Sequence, residues 1–174
     1  MIRLERRLPS SATPRAIAGT LTLPFELRQR SRLLIRLDDG EEAGLFLERG
    51  TVLRDGDELA GADGRVVQVI AAVEQVYRVD PTPACPLARA AYHLGNRHIP
   101  VELGANLLRL ERDAVLRDML LQLGAQVTEE LAPFQPEAGA YGGGHRHNDG
   151  DHGEEYGLAQ SVYTLRHGAP KQAG

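Results

Sequence analysis

Residues 82–131 read TPACPLARAAYHLGNRHIPVELGANLLRLERDAVLRDMLLQLGAQVTEEL, and the changes of hydrophobic period within them decide the fold. Thr82-Pro83 has the form of a helix start, a hydroxyl cap followed by a proline whose missing N–H costs nothing in the first turn. Leu87, Ala90, Ala91 and Leu94 recur at spacings of three and four, and Gly95 stands where a left-handed stop is cheap. A helix is therefore expected over about residues 83–94. Ile99–Leu103 and Leu107–Leu110 read as two short strands joined at Gly104-Ala105-Asn106, a turn that tolerates positive φ. Val115, Leu116, Met119, Leu120 and Leu123 then mark one face of a second helix that Gly124 ends, and strand alternation returns from Ala125 to Leu131. With Val69–Val79 as the opening strand, the order is β-α-β-β-α-β, the ferredoxin-like sandwich.

Upstream of this stretch the period is two. Ile2 and Leu4 alternate with Arg3 and Glu5, and Leu33–Leu37 and Leu45-Phe46-Leu47 flank Asp38-Asp39-Gly40 as a hairpin would. Ile17–Leu23, Leu59 and the turn Ala62-Asp63-Gly64 continue the pattern, with no helical repeat, so residues 1–77 are expected to form a small all-β domain. Residues 78–135 are expected to form the ferredoxin-like domain, and the class is α+β. From Pro136 onward little could hold a core: residues 137–174 carry 9 of the 19 glycines. They read as a flexible tail rich in His, Gly and acids, briefly helical near Tyr156–Arg166.

Composition removes several function classes. With 20 Lys plus Arg against 24 Asp plus Glu in 174 residues, the formal charge is −4, not the basic balance that nucleic acid demands. No run approaches the roughly 20 apolar residues of a membrane span, and the start, Met1 to Arg7, has an acid within it and no apolar stretch behind it. A single cysteine, Cys85, excludes an intrachain disulfide and any Cys-x-x-Cys motif, which agrees with a cytoplasmic protein. No Ser-His-Asp set, phosphate-binding glycine loop or H-E-x-x-H helix is present, so an enzyme is not expected.

The histidines carry the chemistry. His145, His147, His152 and His167 lie in the tail among Asp149, Asp151, Glu154 and Glu155, a nitrogen and oxygen donor set suited to nickel, zinc or copper. A solvated linker in which histidines fall together is the plain alternative, above all for the isolated His167. His93 and His98 bracket the predicted helix stop. A cationic imidazole at His93 would be favoured by the helix dipole, which alone could account for it. His98 lies past the stop, where it is either a hydrogen-bonded turn residue or a group facing a partner; a two-fold dimer with His98 near its axis would bring two imidazoles to one site. Cys85 and Met119 fit as apolar filler on their helical stripes.

The segment H-L-G-N-R-H-I-P-V from His93 to Val101, V-L-R-D-M-L from Val115 to Leu120, and the His-rich C-terminus resemble the UreE family of urease accessory proteins, which are nickel metallochaperones. The resemblance covers the whole chain. It implies a homodimer in which His98 of both protomers ligates Ni(II), with His145, His147 or His152 completing the coordination, and His93 as a lesser candidate. It also implies delivery of nickel to apo-urease together with the accessory GTPase; Zn(II) or Cu(II) would bind in vitro. One departure is visible: where some relatives carry a second histidine pair, this chain has Arg112 and Ala114. Against this reading stand a polypeptide-binding module with incidental histidines and a general nickel or zinc buffer.

Overall fold

The computed structural model describes residues 1–138, so the expected tail helix near Tyr156–Arg166 lies outside the described residues. Alternation builds the first strand, β1 (Ile2–Arg7), with Ile2 and Leu4 buried and Arg3 and Glu5 in solvent. It lies inside a six-stranded mixed sheet with β2 (Gly19–Leu23), β3 (Arg32–Arg36), β4 (Glu42–Phe46), β5 (Glu58–Gly61) and β6 (Val66–Ala71), in the order β2-β6-β5-β1-β4-β3. The expected hairpin is β3 against β4, antiparallel, with Gly40 at φ +91° in its turn.

β2 and β3 are the two edges of that sheet, yet Asp38, just past β3, reaches β2. Its carboxylate accepts from the Thr20 hydroxyl at 2.6 Å and from the Thr22 hydroxyl and N–H at 2.9 and 3.1 Å. The sheet therefore curls until its edges are joined by side-chain hydrogen bonds, which blunts both of them. Leu4, Leu21, Leu45, Leu53, Leu59 and Val67 fill the interior without exposure. Between β2 and β3 the chain forms one helical turn, α1 (Phe25–Arg28), which no periodicity announces because four residues are too few to show one.

The second sheet comprises β7 (Val73–Asp80), β8 (Glu102–Leu103), β9 (Leu108–Glu111) and β10 (Gln126–Pro133), in the order β10-β7-β9-β8 with every neighbouring pair antiparallel. Helices α2 (Leu87–Gly95) and α3 (Ala114–Gln122) contribute Leu94, Leu116 and Leu120 to a core shared with Tyr77, Val79, Leu108 and Leu110. Asp113 caps α3 by accepting the Leu116 N–H at 2.9 Å, and Gly124, at φ +89°, ends it. No helix among the described residues is long and apolar enough to cross a membrane.

Three expectations are corrected. The helix expected from Pro83 begins at Leu87, with Pro86 at the cap position; Thr82 instead forms a turn, its hydroxyl accepting the Cys85 N–H at 3.0 Å and donating to the Gly124 carbonyl at 2.6 Å. The strand expected over Ile99–Leu103 shrinks to Glu102–Leu103, because the Ile99 N–H is taken by the end of α2 and Pro100 has none to give. The first sheet gives way to the second at Ala72, not after Tyr77, since Val73 already pairs with Pro133.

The two units are clamped together. Arg28, fully buried, donates to the carbonyls of Leu23 and Leu53 in its own domain at 3.2 and 3.1 Å and to the carbonyl of Phe134 in the other. Phe25 meets Phe134 edge to face, with centroids 5.3 Å apart, beside Val76 and Ala132. Glu74 accepts the Phe25 N–H at 2.7 Å and lies 4.0 Å from Arg28; burial holds its carboxyl above the usual range, and burial likewise lowers the Arg28 guanidinium.

Candidate metal centre

The site begins with how α2 ends. The Ile99 N–H donates to the Leu94 carbonyl at 3.2 Å and the His98 N–H to the Gly95 carbonyl at 2.9 Å, the paired bonds of a Schellman closure. Such a closure needs a left-handed residue where those bonds cross, and the residue there is His98, at φ +55°, while Gly95 remains helical. The expectation of a left-handed Gly95 is thus displaced by three residues. A side chain at this position costs on the order of 1 kcal/mol that glycine would not, so the imidazole is retained against backbone preference. It is the only non-glycine residue with positive φ among the described residues.

His98 is exposed, and its ring has no hydrogen bond to any described residue, so the plain reading of a hydrogen-bonded turn histidine is not what the geometry gives. Both ring nitrogens are open to a ligand. His93 lies one turn back in the last turn of α2, half-buried, its ring edge-on to Tyr92 with centroids 5.4 Å apart. No group of three His, Cys, Asp or Glu side chains is close enough to cage a metal among the described residues. One protomer's His98 is therefore an under-coordinated donor. His145, His147, His152 and His167 lie outside the described residues.

The loop bearing His98 is held by the segment that follows β10, which is in turn tied to the first domain. Glu137 donates its N–H to the Val101 carbonyl at 2.8 Å, and the Gln135 N–H reaches the Glu102 carboxylate at 2.7 Å. In the same strap Arg54 donates to the Pro136 carbonyl, and the Gln135 side chain accepts the Asp55 N–H at 2.9 Å. Residues 134–137 thus tie the first domain to the His98 loop. Pro136, expected to open a free tail, is buried. Between the domains lies a cleft of about 880 Å³, lined among others by Phe25, Arg49, Arg54, His98, Glu137 and Ala138, so the described chain ends on the rim of the cavity that His98 faces.

The other candidates are structural. Cys85 is 1% exposed and packs in the second core, and Met119 lies against the same core. Arg112 forms an ion pair with Glu129 at 3.0 Å and stands 5.9 Å over the Tyr77 ring, while Ala114 opens α3. That corner is braced by a guanidinium where some relatives would offer an imidazole. Sequence reading missed Arg28 and the strap, because a buried arginine in a one-turn helix and a short post-strand segment leave no periodic signal.

A curled β domain is clamped to a β-α-β-β-α-β domain, with an uncommitted imidazole where they meet. Residues 4–72 match the model of the UreE urease accessory protein N-terminal domain, and residues 74–158 that of its C-terminal domain. Proteins named urease accessory protein UreE are similar over most of the chain. That of Burkholderia thailandensis is 58% identical across 88% of this chain and 72% of its own. Those of Burkholderia pseudomallei strain 1710b and Burkholderia lata are 55% and 53% identical, each across 95% of this chain and 82% and 81% of their own. The chain belongs to the UreE family of urease accessory proteins, which act in urease maturation and are not enzymes.

Proposed function

We propose that this protein carries Ni(II) to apo-urease, with nickel as cargo and not a resident cofactor. The carrying observation is His98: an exposed imidazole with open nitrogens, kept in a left-handed turn at the rim of the cleft where the described chain ends. A homodimer brings His98 of both protomers to one ion, and His145, His147 and His152 complete the shell. Reach supports this, since His145 is seven residues beyond Ala138, an extended span of up to about 25 Å. Two imidazoles supplemented by tail donors make a site of modest affinity and fast exchange, which suits handing an ion onward. The second domain, from Val73 onward, serves as the ferredoxin-like metal-binding and dimerisation domain, a reading supported by the β10-β7-β9-β8 order. The β domain takes a polypeptide partner, the accessory GTPase or the urease apoenzyme complex, in the cytoplasm.

The test is nickel titration by calorimetry of the full chain, of His98→Ala and of a chain ended at Gly144, with mass measured on the same samples. His98→Ala should remove the tightest step and leave the dimer intact, and truncation should lower the number of ions bound. Unchanged binding in both, or a monomeric wild type at micromolar nickel and protein, would sink the proposal.

A further inference from the structure

His98 holds a backbone conformation that an L side chain disfavours, and such a conformation persists where the chain is fixed on both sides of it. The end of α2 fixes the entry side, through the bond from the Ile99 N–H to the Leu94 carbonyl. On the exit side the local chain offers little. Pro100 has no N–H, and β8 is two residues long at the edge of its sheet. Among the described residues, Pro100 and Val101 make one backbone hydrogen bond, the one the Val101 carbonyl accepts from Glu137.

A carboxylate supplies the rest. Glu102 accepts from the Arg109 guanidinium with one oxygen at 2.6 Å and from the Gln135 N–H with the other at 2.7 Å. Arg109 stands opposite Glu102 in the β8–β9 pairing, and its other arm reaches Glu130 of β10 at 3.1 Å, so one cation joins two carboxylates across the sheet. The Glu102 and Arg109 side chains are 17% and 20% exposed, which partly shields their attraction from water. We propose that Glu102, oriented by Arg109, is a positioning residue for His98. It fastens the strap to the far end of the loop, and a loop fixed at Ile99 and again at Val101 and Glu102 cannot relax the imidazole out of its left-handed turn. The bearing on nickel rests on the reading of His98 as a ligand; the bearing on the backbone does not. An ion that must itself order one loosened backbone residue should bind about five- to thirtyfold more weakly.

The test uses the full chain. NMR in chelator reads the His98 backbone, since a residue with positive φ gives a strong cross-peak between its own amide and α protons, and nickel titration reads the tightest step. Glu102→Gln keeps the shape but turns an amide NH2 group toward one of the two donors. The His98 cross-peak should weaken in Glu102→Gln and in Arg109→Met and recover in Arg109→Lys, with nickel affinity following it. Glu130→Gln breaks the network on the side away from the loop, so it should lower the thermal midpoint and leave both His98 readouts at wild-type values. Should Glu102→Gln not fold, Glu102→Asp, charged but one methylene too short for both donors, serves in its place. An unchanged cross-peak in the Glu102 variant would overturn the positioning role. So would an equal change in Glu130→Gln, which would mean a general loss of stability. A weakened cross-peak with the nickel step intact, in a protein whose His98→Ala variant lacks that step, would overturn it as well. If His98→Ala binds nickel like the wild type, the nickel reading falls and the cross-peak alone decides the positioning role.

Discussion

The guanidinium of Arg28, in the one-turn helix of the first domain, donates to the carbonyl of Phe134, 106 positions later in the second. No other buried polar or charged side chain ranks with it among the described residues, and its remaining donors are taken by Leu23 and Leu53. Arg28→Met keeps the volume but leaves three carbonyls without donors and the Glu74 carboxylate without its cation. The expected loss is about 3–5 kcal/mol of unfolding free energy. Urea unfolding checks it; a loss under about 1 kcal/mol would mean that water replaces the guanidinium and that the clamp is dispensable.

His98→Gly separates fold from ligation. Glycine enters the left-handed region freely, so the variant should match the wild type in thermal midpoint or exceed it by an increment worth up to about 1 kcal/mol, while losing the tightest nickel step. His98→Val should lose the same step and also melt lower, because a β-branched side chain resists positive φ. A glycine variant that melts well below the wild type would show that the imidazole braces the turn.

The order of elements in the second domain was legible because each has a signal: leucines on α2 and α3, alternation on β10, and Gly124 at the only backbone φ above +60° among that domain's described residues. The left-handed residue after α2 was not legible. Gly95 is the residue type such a turn prefers, and only the bonds from Ile99 to Leu94 and from His98 to Gly95 show that the turn closes three residues later. His98 itself stood out as a histidine beyond a helix stop; its open cleft did not, since that cleft depends on Arg49, Arg54 and Glu137 from distant parts of the chain. The same holds for the strap, whose partners Arg54 and Asp55 lie some eighty residues upstream.

Gly124 and Gly40 give a paired prediction about turns. Both have φ near +90°, but a Cβ at Gly124 would meet the Ala84 Cβ at 2.9 Å whereas one at Gly40 meets nothing within 4 Å. Gly40→Ala should cost about 1 kcal/mol from backbone strain alone, and Gly124→Ala about 2–3 kcal/mol, because the Thr82–Cys85 turn must also give way. Equal losses in chemical unfolding would show that the Ala84 contact yields freely.

Nickel affinity should fall as the solution is acidified, because protonated imidazole has no lone pair to donate. Histidine titrates near pH 6.5 in general, so the apparent affinity should drop steadily between about pH 7.5 and 5.5. Calorimetric titration over that range checks it, and a flat profile would remove histidine from the ligand set.

Acid stability of the first domain should depend on Asp38. Partial burial pushes its carboxyl up, but hydrogen bonds from the Thr20 and Thr22 hydroxyls and the Thr22 N–H outweigh that and hold it below the ordinary aspartate value. A carboxyl depressed in the folded state stabilises the fold fully above its unfolded value of about 3.9, and that contribution disappears as pH falls through the folded value. Asp38→Asn keeps the shape and one acceptor oxygen but loses the charge and one of the two acceptors that join β2 to the β3–β4 turn. Because Asp38 is exposed and screened by water, the variant should be less stable than the wild type at neutral pH by no more than about 1 kcal/mol, and the difference should shrink as the pH approaches 3. Unfolding curves at neutral pH and near pH 3 read this directly. A gap of constant size across that range would mean that the carboxylate's charge contributes nothing and that the bond from the Asp38 N–H to the Thr20 carbonyl, at 3.0 Å, suffices to join the edges.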